Sequence, residues 1–219
     1  MTTVNPASYL VNRKQWGRPQ GILFANAPGT LQPLNPANPT QDLYYVPTGF
    51  EKIQDPDFLI LSDHNRAPIE ISAERIEDRK RMINGTMRSY FIANKFNMST
   101  SWSNLPSRSS NVASPRNFDG RLLPINPGSD TPIYPTLYTV DGGAGGSEIV
   151  EWYENHPGPF WVFLAYDRPD KFTGNDRFNQ IQKYNEVKLM YINSFSYSVT
   201  KRGQDLMDLW DVSISLEEV

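Results

Sequence analysis

Proline is concentrated in two long stretches of this chain, and these stretches limit where helices or central strands can form. Residues 1–56 include Asn26-Ala27-Pro28-Gly29, and residues 103–146 have a similar composition that ends in a run of glycines. Proline has no backbone N–H and a fixed φ, so it interrupts helices and removes ladder hydrogen bonds from sheets. Continuous regular structure is therefore expected between these stretches and after the second one.

The first stretch predicts an extended arm over residues 1–60. Full disorder is not favoured, because large apolar side chains recur through the segment. They are Tyr9, Leu10, Trp16, Ile22, Leu23, Phe24, Tyr44, Tyr45, Val46 and Phe50. A stiff arm with such side chains is expected to dock on its own domain or on a neighbouring copy, and both remain open. Residues 61–219 are predicted to form a single β domain with a long inserted loop at 103–146.

A long β-hairpin is predicted between the two stretches. Asn84-Gly85 lies between Met82-Ile83 and Thr86-Met87, and Asn-Gly flanked by apolar residues is a strong hairpin signal. Apolar and polar residues then alternate with period two as far as Trp102. The predicted arms are about 75–83 and 86–102, with a bulge in the second arm.

The last third of the chain predicts one helix followed by strands. Ser147 is a suitable N-cap, Glu148 suits the positive end of a helix, and Ile149, Trp152 and Tyr153 are predicted to form its packing face. Pro157-Gly158-Pro159 ends the helix. The apolar run 160–166 predicts a buried strand at the centre of the core. Two alternating runs, 187–199 and 209–219, predict two further strands.

The charge pattern favours protein contacts over nucleic-acid binding. The formal net charge is -3, and the local basic cluster of Arg75, Arg79, Arg81 and Arg88 is interrupted by acidic residues. Binding to phosphates needs an uncompensated positive field, which this pattern lacks. The four arginines are instead predicted to lie on a solvated or intersubunit surface.

The residues needed for catalysis, cofactor binding or metal binding do not form a recognisable pattern. The chain has no cysteine, which excludes disulfides, thiol nucleophiles and thiolate metal sites. His64 and His156 are expected to be structural. The glycines at 142–146 precede a helix, but no Lys-Ser or Lys-Thr follows, so they predict a hinge rather than a phosphate loop. Sequence analysis therefore predicts no enzyme and no cofactor or metal site.

The sequence also shows no recognisable targeting signal. The start of the chain has neither a basic region nor an apolar core of a secretory signal, so export by that route is not expected. No apolar run approaches the ~20 residues that span a bilayer, so no membrane contact is expected either. Synthesis in the cytoplasm of a cell is the resulting expectation.

Several segments together resemble virion proteins of long-tailed bacteriophages, in the tail tube and distal tail group. They are the hairpin string 81–88, Trp102-Ser103-Asn104-Leu105-Pro106, the helix 148–155 and the closing strand 212–218. The resemblance covers roughly residues 69–219 and includes no diagnostic motif. It implies a β-sandwich or split barrel with one flanking helix, a long hairpin and extended loops.

The resemblance also implies a function in assembly. Subunits of that group form rings, commonly hexameric, that stack around a lumen through which DNA passes without specific binding. The hairpin with Arg75, Arg79, Arg81 and Arg88 would then face a neighbouring subunit or the lumen. The expected location is the virion, and the expected partners are other copies and adjacent tail or baseplate proteins. A repeating tube subunit and a single-ring distal tail protein remain open.

Two other classes of function remain as alternatives. Trp16, Trp102, Trp152, Trp161 and Trp210 would suit a carbohydrate-binding sandwich, because sugars stack on aromatic faces. An enzyme using carboxylates, such as Asp167 with Asp170 or Glu217 with Glu218, is the other alternative. Glu217 and Glu218 are adjacent in a predicted strand and should point to opposite faces, which weakens that pair.

Overall fold

The computed structural model describes residues 21–33, 43–46, 58–109, 138–166, 184, 186–202 and 207–219. These residues form β-strands and a single α-helix, so the mainly β class predicted from the sequence is confirmed. The helix, α1, spans Gly146–Asn155. The strands are β1 Ile22–Ala25, β2 Thr30–Pro33, β3 Leu43–Val46, β4 Phe58–Ile60, β5 Glu70–Arg81, β6 Met87–Pro106, β7 Phe160–Leu164, β8 Glu186–Lys201 and β9 Leu209–Glu218.

Seven of the strands form one antiparallel sheet. Its order is β4-β1-β7-β8-β9-β6-β5, while β2 and β3 pair separately. Strands β5 and β6 form the predicted long hairpin. Their register shifts between Ile76 and Glu77, where Ile92 is the extra residue of β6, so the bulge lies in the second arm as predicted.

The sheet curls so that the chain leaving β4, at one edge, meets β6 near the other edge. Arg66 forms an isolated antiparallel bridge with Trp102, and the N–H of Ala67 donates to the carbonyl of Ser101 at 2.8 Å. The indole N–H of Trp102 donates to the carbonyl of Ser62 at 2.7 Å. These contacts give the sheet a barrel-like closure with one face turned inward.

The inner face of this curled sheet holds the main core, and α1 packs against it. Ile149 and Trp152 of the helix are buried there, and the ring of Trp152 meets that of Phe160 edge to face at 5.7 Å. A second apolar cluster lies on the other face of β1, β4 and β7. Strand β7 contributes to both clusters, as expected for a strand at the centre of the core.

Strand β1 lies inside the sheet, although the sequence prediction included its residues in the arm. It pairs with β4 on one side and with β7 on the other, and all four of its residues are buried. Residues 22–25 contain no proline, and burial on both faces outweighs the turn signals around them. Residues 1–20 lie outside the described residues, so how the arm docks stays a prediction.

Strand β6 also extends further than predicted, into the region assigned to the long loop. Trp102 pairs with Val212 and Leu105 with Trp210, and the register shifts between these two pairs. Asn104 absorbs the irregularity with a φ of 51°, and its N–H donates to Asp211 Oδ1 at 2.8 Å. Asparagine tolerates this left-handed conformation better than most residues. Residues 110–137 of the predicted loop lie outside the described residues.

The start of α1 is capped by Glu148 rather than by the predicted N-cap, Ser147. Glu148 Oε2 accepts from the N–H of Gly145 at 2.8 Å, and Oε1 accepts from the N–H of Ser109 at 2.9 Å. Burial raises the pKa of this carboxyl, although the hydrogen bonds from Ser109 and Gly145 oppose that effect. Glu148 therefore fastens the end of β6 to the helix across a break in the described chain.

The glycines before α1 are buried and packed against backbone, so the hinge prediction for residues 142–146 is wrong. A Cβ at Gly143 would lie 2.6 Å from the Cα of Ser62, and one at Gly145 would lie 2.6 Å from the carbonyl oxygen of Pro106. The Oδ1 of Asp141 also accepts from the N–H of Gly143 at 3.0 Å. Glycine is required here because other backbone segments approach too closely for a side chain.

One further property concerns membranes. Within the part of the chain that the structure describes, no helix is long and apolar enough to cross a bilayer.

The close approach at Gly143 can be tested with a matched pair of glycine variants. Gly143→Ala should lower the free energy of unfolding by about 1–3 kcal/mol, because backbone must move to admit the methyl group. Gly158→Ala is the control, since nothing lies within 4 Å of a Cβ there. Chemical denaturation of both variants is the measurement. Equal unfolding free energies would contradict the packing described for the glycine run.

Candidate assembly interface

The distal part of the β5–β6 hairpin extends beyond the rest of the sheet. β9 pairs with β6 only from Asn97 onward, so residues 73–81 and 87–96 pair only with each other among the described strands. At about 3.4 Å per residue this part is about 30 Å long. At its root, Glu218 Oε2 accepts from the N–H of Phe96 at 3.0 Å. A two-stranded hairpin of this kind is marginally stable by itself in water.

The tip of the hairpin has well-defined turn geometry. The N–H of Gly85 donates to the carbonyl of Met82 at 2.9 Å, and Gly85 has a φ of 81°. Asn84 Oδ1 accepts from the N–H of Thr86 at 3.1 Å and from its hydroxyl at 2.7 Å. Asn84 and Gly85 thus form the hairpin turn that the sequence predicted. The side chain of Ile83 projects from this turn and is fully exposed.

Apolar side chains are exposed on both faces of the hairpin and at its tip. A hairpin with one buried face would show apolar residues on that face alone. The exposed ones are Ile71, Ile76, Met82, Ile83, Met87, Tyr90, Phe91 and Ile92. Concentrated apolar exposure of this kind marks a surface for interaction with another protein.

The four predicted arginines do not share one face. Cross-strand pairing and alternation place Arg75, Arg79 and Arg81 on the face that continues the inner core face of the sheet. Arg88 pairs with Lys80 on the opposite face. The structure therefore brings three of the arginines together and separates the fourth. Their intersubunit or lumen role stays a prediction.

Glu77 lies between two of these arginines and organises them. Its carboxylate accepts from the hydroxyl of Ser89 at 2.5 Å and pairs with the guanidinium groups of Arg79 and Arg75. The Ser89 hydrogen bond, followed by the Arg79 hydrogen bond, lowers the pKa of Glu77. Glu77 therefore stays ionised at neutral pH and is protonated only as the pH falls through this lowered pKa, while the guanidinium groups remain charged. The Arg75 guanidinium also lies 5.4 Å from the centroid of the Phe91 ring.

Two long strand edges have no strand partner among the described residues. Strand β5 ends the sheet, so the whole outer edge of Glu70–Arg81 is unpaired. Strand β8 pairs with β7 only over residues 186–190, so its edge from Tyr191 to Lys201 is also unpaired. These edges lie at opposite sides of the four-stranded segment β8-β9-β6-β5. An unpaired edge is a template for pairing with another chain.

The outer face of this four-stranded segment is rich in serine. Alternation and register place the following residues on it: Ser72, Ser99, Ser101, Ser194, Ser196, Ser198, Ser213 and Ser215. Glu70, Asn97, Asp211 and Glu217 lie in the same rows, and Lys201, paired with Leu209, and Lys95, paired with Glu74, lie on the same face. The face is polar, has mainly small side chains and is mildly acidic.

One row of aromatic rings runs along the opposite face of the sheet, from α1 across β8 to β9. Tyr153 stacks on Phe195 at 4.5 Å, Phe195 lies 5.9 Å from Tyr197, and Tyr197 stacks on Trp210 at 5.4 Å. We call these four residues the aromatic ladder. Tyr153 is 42% exposed and Tyr197 52% exposed. Of the predicted helix packing face, Ile149 and Trp152 are buried, whereas Tyr153 lies at the surface as part of the ladder.

The remaining candidate residues have structural contacts. Burial lowers the pKa of His64, and its Nδ1 accepts from the N–H of Val140 at 3.2 Å, which suits a neutral imidazole. His156 stacks on Trp152 at 3.8 Å. Glu218 bonds to Lys188 Nζ at 2.9 Å, while Glu217 faces the other side of β9. Asp167 and Asp170 lie outside the described residues. No group of three or more potential metal ligands occurs in the ranges that the structure describes.

Comparisons with known proteins give distant structural likeness. No family model matches the chain, and no curated protein matches it. One similar solved structure is described as the tail of an empty GTA particle, computed with helical refinement in C6 symmetry. The two share 10% identity with a TM-score of 0.38, over 82% of this chain and 92% of the other. A likeness at this level supports no argument about the function of this chain.

Hydrogen exchange can test whether the hairpin is an unpartnered element in the isolated chain. Amides in residues 73–81 and 87–96 should exchange much faster than those of β7 and β9, because they lack a third strand and a buried face. If these amides are as protected as those of β7 in the monomer, the hairpin is not an exposed interface. Mass spectrometry of peptic peptides after short labelling is the measurement.

Proposed function

We propose that this chain is a structural subunit of the tail of a long-tailed bacteriophage, and that it forms rings by pairing strand edges between copies. The observation that supports this most directly is the pair of edges, at opposite sides of the β8-β9-β6-β5 segment, that have no strand partner within the described part of the chain. Different edges on the two sides give a head-to-tail contact between copies, and such contacts close into a ring when the rotation allows it. The protein has no catalytic role in this proposal.

The hairpin supports the same proposal from an energetic argument. It lacks a third strand and a packed face, so it is marginally stable alone, and it exposes apolar groups on both faces. A neighbouring copy that paired with the β5 edge would add a third strand and cover part of this surface. The resemblance to tail tube and distal tail proteins, whose hairpins form the wall of a lumen, is consistent with such an arrangement.

The serine-rich face is suited to line the lumen in this proposal. Its rows on the four-stranded segment place serines and acidic groups where phosphates would pass, and small neutral serines outnumber the cationic side chains of the same face, which are Lys80, Arg88, Lys95 and Lys201. Six copies that each contribute four strands would close a barrel about 50 Å across, at a strand spacing of about 4.8 Å and a tilt of about 40°. DNA would pass through such a channel without specific binding.

Six copies per ring follow from the resemblance, as do adjacent tail or baseplate proteins as partners and the virion as location. A repeating tube subunit and a single ring at the tube-to-baseplate or tail-tip junction use the same strand edges. The two differ in whether rings stack on one another, so the length of the assemblies distinguishes them.

The carbohydrate-binding alternative has one favourable observation, the aromatic ladder at the surface. Its rings stack on each other, so much of the aromatic face that a sugar would need is already covered. Trp102 and Trp152 are buried in the core. Quenching of tryptophan fluorescence by a sugar, together with a strictly monomeric chain, would favour this alternative over ring formation.

A shortened hairpin tests the proposal without disturbing the core. Replacing residues 74–95 by Asn-Gly keeps the pairs from Ala73 with Phe96 to Glu70 with Ser99. The full chain should form rings or tubes in negative-stain electron micrographs as concentration rises, whereas the shortened chain should stay monomeric with its cooperative unfolding retained. A full-length chain that is monomeric at every concentration would overturn the proposal. Rings from the shortened chain would show that the hairpin is not needed.

Charge reversal tests the predicted role of the arginines. Arg79→Glu and Arg88→Glu should each raise the concentration needed for assembly by about tenfold or more, because like charges placed against a partner are repulsive. Monomer unfolding should change little, since both side chains lie on the exposed hairpin. Analytical ultracentrifugation and thermal unfolding are the measurements. Unchanged assembly of both variants would contradict the placement of the hairpin at the interface.

A further inference from the structure

Closure of a ring turns the same face of every copy inward, so strands that pair between copies share their inner-core faces, and the register then decides which side chains on that face meet. Neighbouring strands in one sheet share their two faces, and side chains alternate between them. The β5 residues on the inner-core face include Arg75, Arg79 and Arg81. On β8, the same face contains Phe195 and Tyr197, which pair with Ile214 and Val212 of the core. If β5 of one copy continued the sheet from β8 of another, these arginines would lie beside these rings.

The two surfaces are chemically complementary. The side chains of Arg75 and Arg79 remain 63% and 61% exposed in the single chain, despite their contacts with Glu77. The aromatic ladder is exposed at Tyr153 and Tyr197, and Glu154 is exposed next to Tyr153 on a helix whose last turn has no basic residue. Guanidinium groups are attracted to aromatic faces and to carboxylates.

We propose that the aromatic ladder is the docking surface for the hairpin of a second copy, with Arg75 and Arg79 of that copy lying against Tyr197 and Phe195. Glu154 provides a carboxylate at the rim of the same surface. The contact of Arg75 with Phe91 inside the hairpin shows the same chemistry at 5.4 Å within one chain. This inference rests on the proposed ring assembly and names the surfaces that meet in it.

The opposite face of β8 provides a matched control. Tyr191 is 43% exposed, close to the 52% of Tyr197, but it pairs with Glu217 on the serine-rich face. The proposal therefore assigns different functions to two tyrosines of similar exposure on one strand. Only Tyr197 should contribute to contact with the hairpin of a neighbouring copy.

The experiment compares assembly of Tyr197→Ala and Tyr191→Ala by analytical ultracentrifugation, with electron microscopy of the same samples. Tyr197→Ala should raise the concentration for half-assembly by about tenfold, within the range expected for a partly desolvated cation–π contact. Tyr191→Ala should change it by less than about twofold. Thermal unfolding of both monomers controls for a loss of fold, and Tyr197→Phe should retain assembly because it keeps the ring.

Double-mutant cycles identify the partner residue. When Arg75→Ala or Arg79→Ala is combined with Tyr197→Ala, the concentration for half-assembly should rise by less than the product of the two single-variant fold-changes. Both substitutions remove the same contact, so their effects should not multiply. Arg88→Ala, on the other face of the hairpin, should combine with Tyr197→Ala multiplicatively. If rings form but the two tyrosine variants behave alike, or no arginine couples to Tyr197, the inference is overturned and ring assembly stands. If the unmodified chain forms no rings, the proposed function fails and this inference fails with it.

Discussion

The closure of the sheet by the segment between β4 and β5 is the constraint on which the rest of the structure depends. The indole of Trp102 is held by the carbonyl of Ser62, and the hydroxyl of Ser62 donates to Asp141 at 2.7 Å. Asp141 also accepts from the N–H of Asp63 at 2.8 Å. These bonds join β4, β6 and the segment before α1 at one point in the core. The core part of the inner face is covered in this way, and the other face of β8, β9 and β6 lies in solvent.

This arrangement separates the buried core, which stabilises the fold, from the exposed surfaces that are available to partners. The inner face, α1 and both faces of β7 provide the apolar burial of the domain. The distal hairpin, the β8 edge and the serine-rich face contribute little to it. Substitutions in these exposed elements can therefore change surface contacts without removing the core, as the proposed assembly of copies would require.

Short-range sequence signals correctly predicted the elements whose geometry depends on residues that are close together in the chain. Asn84 and Gly85 specify a turn by their own backbone preferences, and the uninterrupted apolar run of β7 indicates burial on two faces. The elements that were predicted wrongly depend on contacts with residues that are distant in the sequence. Strand β1 is surrounded by turn residues and becomes a strand only because β4 and β7 lie on either side of it. The glycines at 143 and 145 are required by the approach of Ser62 and Pro106, which are distant in sequence.

The candidate interface shows the same limit. The alternation of serine with Phe195 and Tyr197 predicted a strand, but nothing in the sequence tells which of its edges remains unpaired. The arginines were found as a cluster, yet the extra residue Ile92 and the pairing register decide which of them share a face. Register and strand order are properties of the folded sheet. Sequence reasoning therefore identified the candidate residues without their arrangement.

The length of β6 has a mechanical consequence. One continuous strand, with a bulge at Ile92 and an irregularity at Asn104, runs from Met87 near the hairpin tip to Pro106 beside α1, and it pairs with β5 along its first part and with β9 along its last. A force applied at the tip would travel along this single backbone into the core without passing through a loop. Ladder hydrogen bonds on both sides would be loaded together, in shear. In the proposed ring, where a neighbouring strand would support it, the hairpin would thus act as a lever anchored in the barrel and transmit strain between copies.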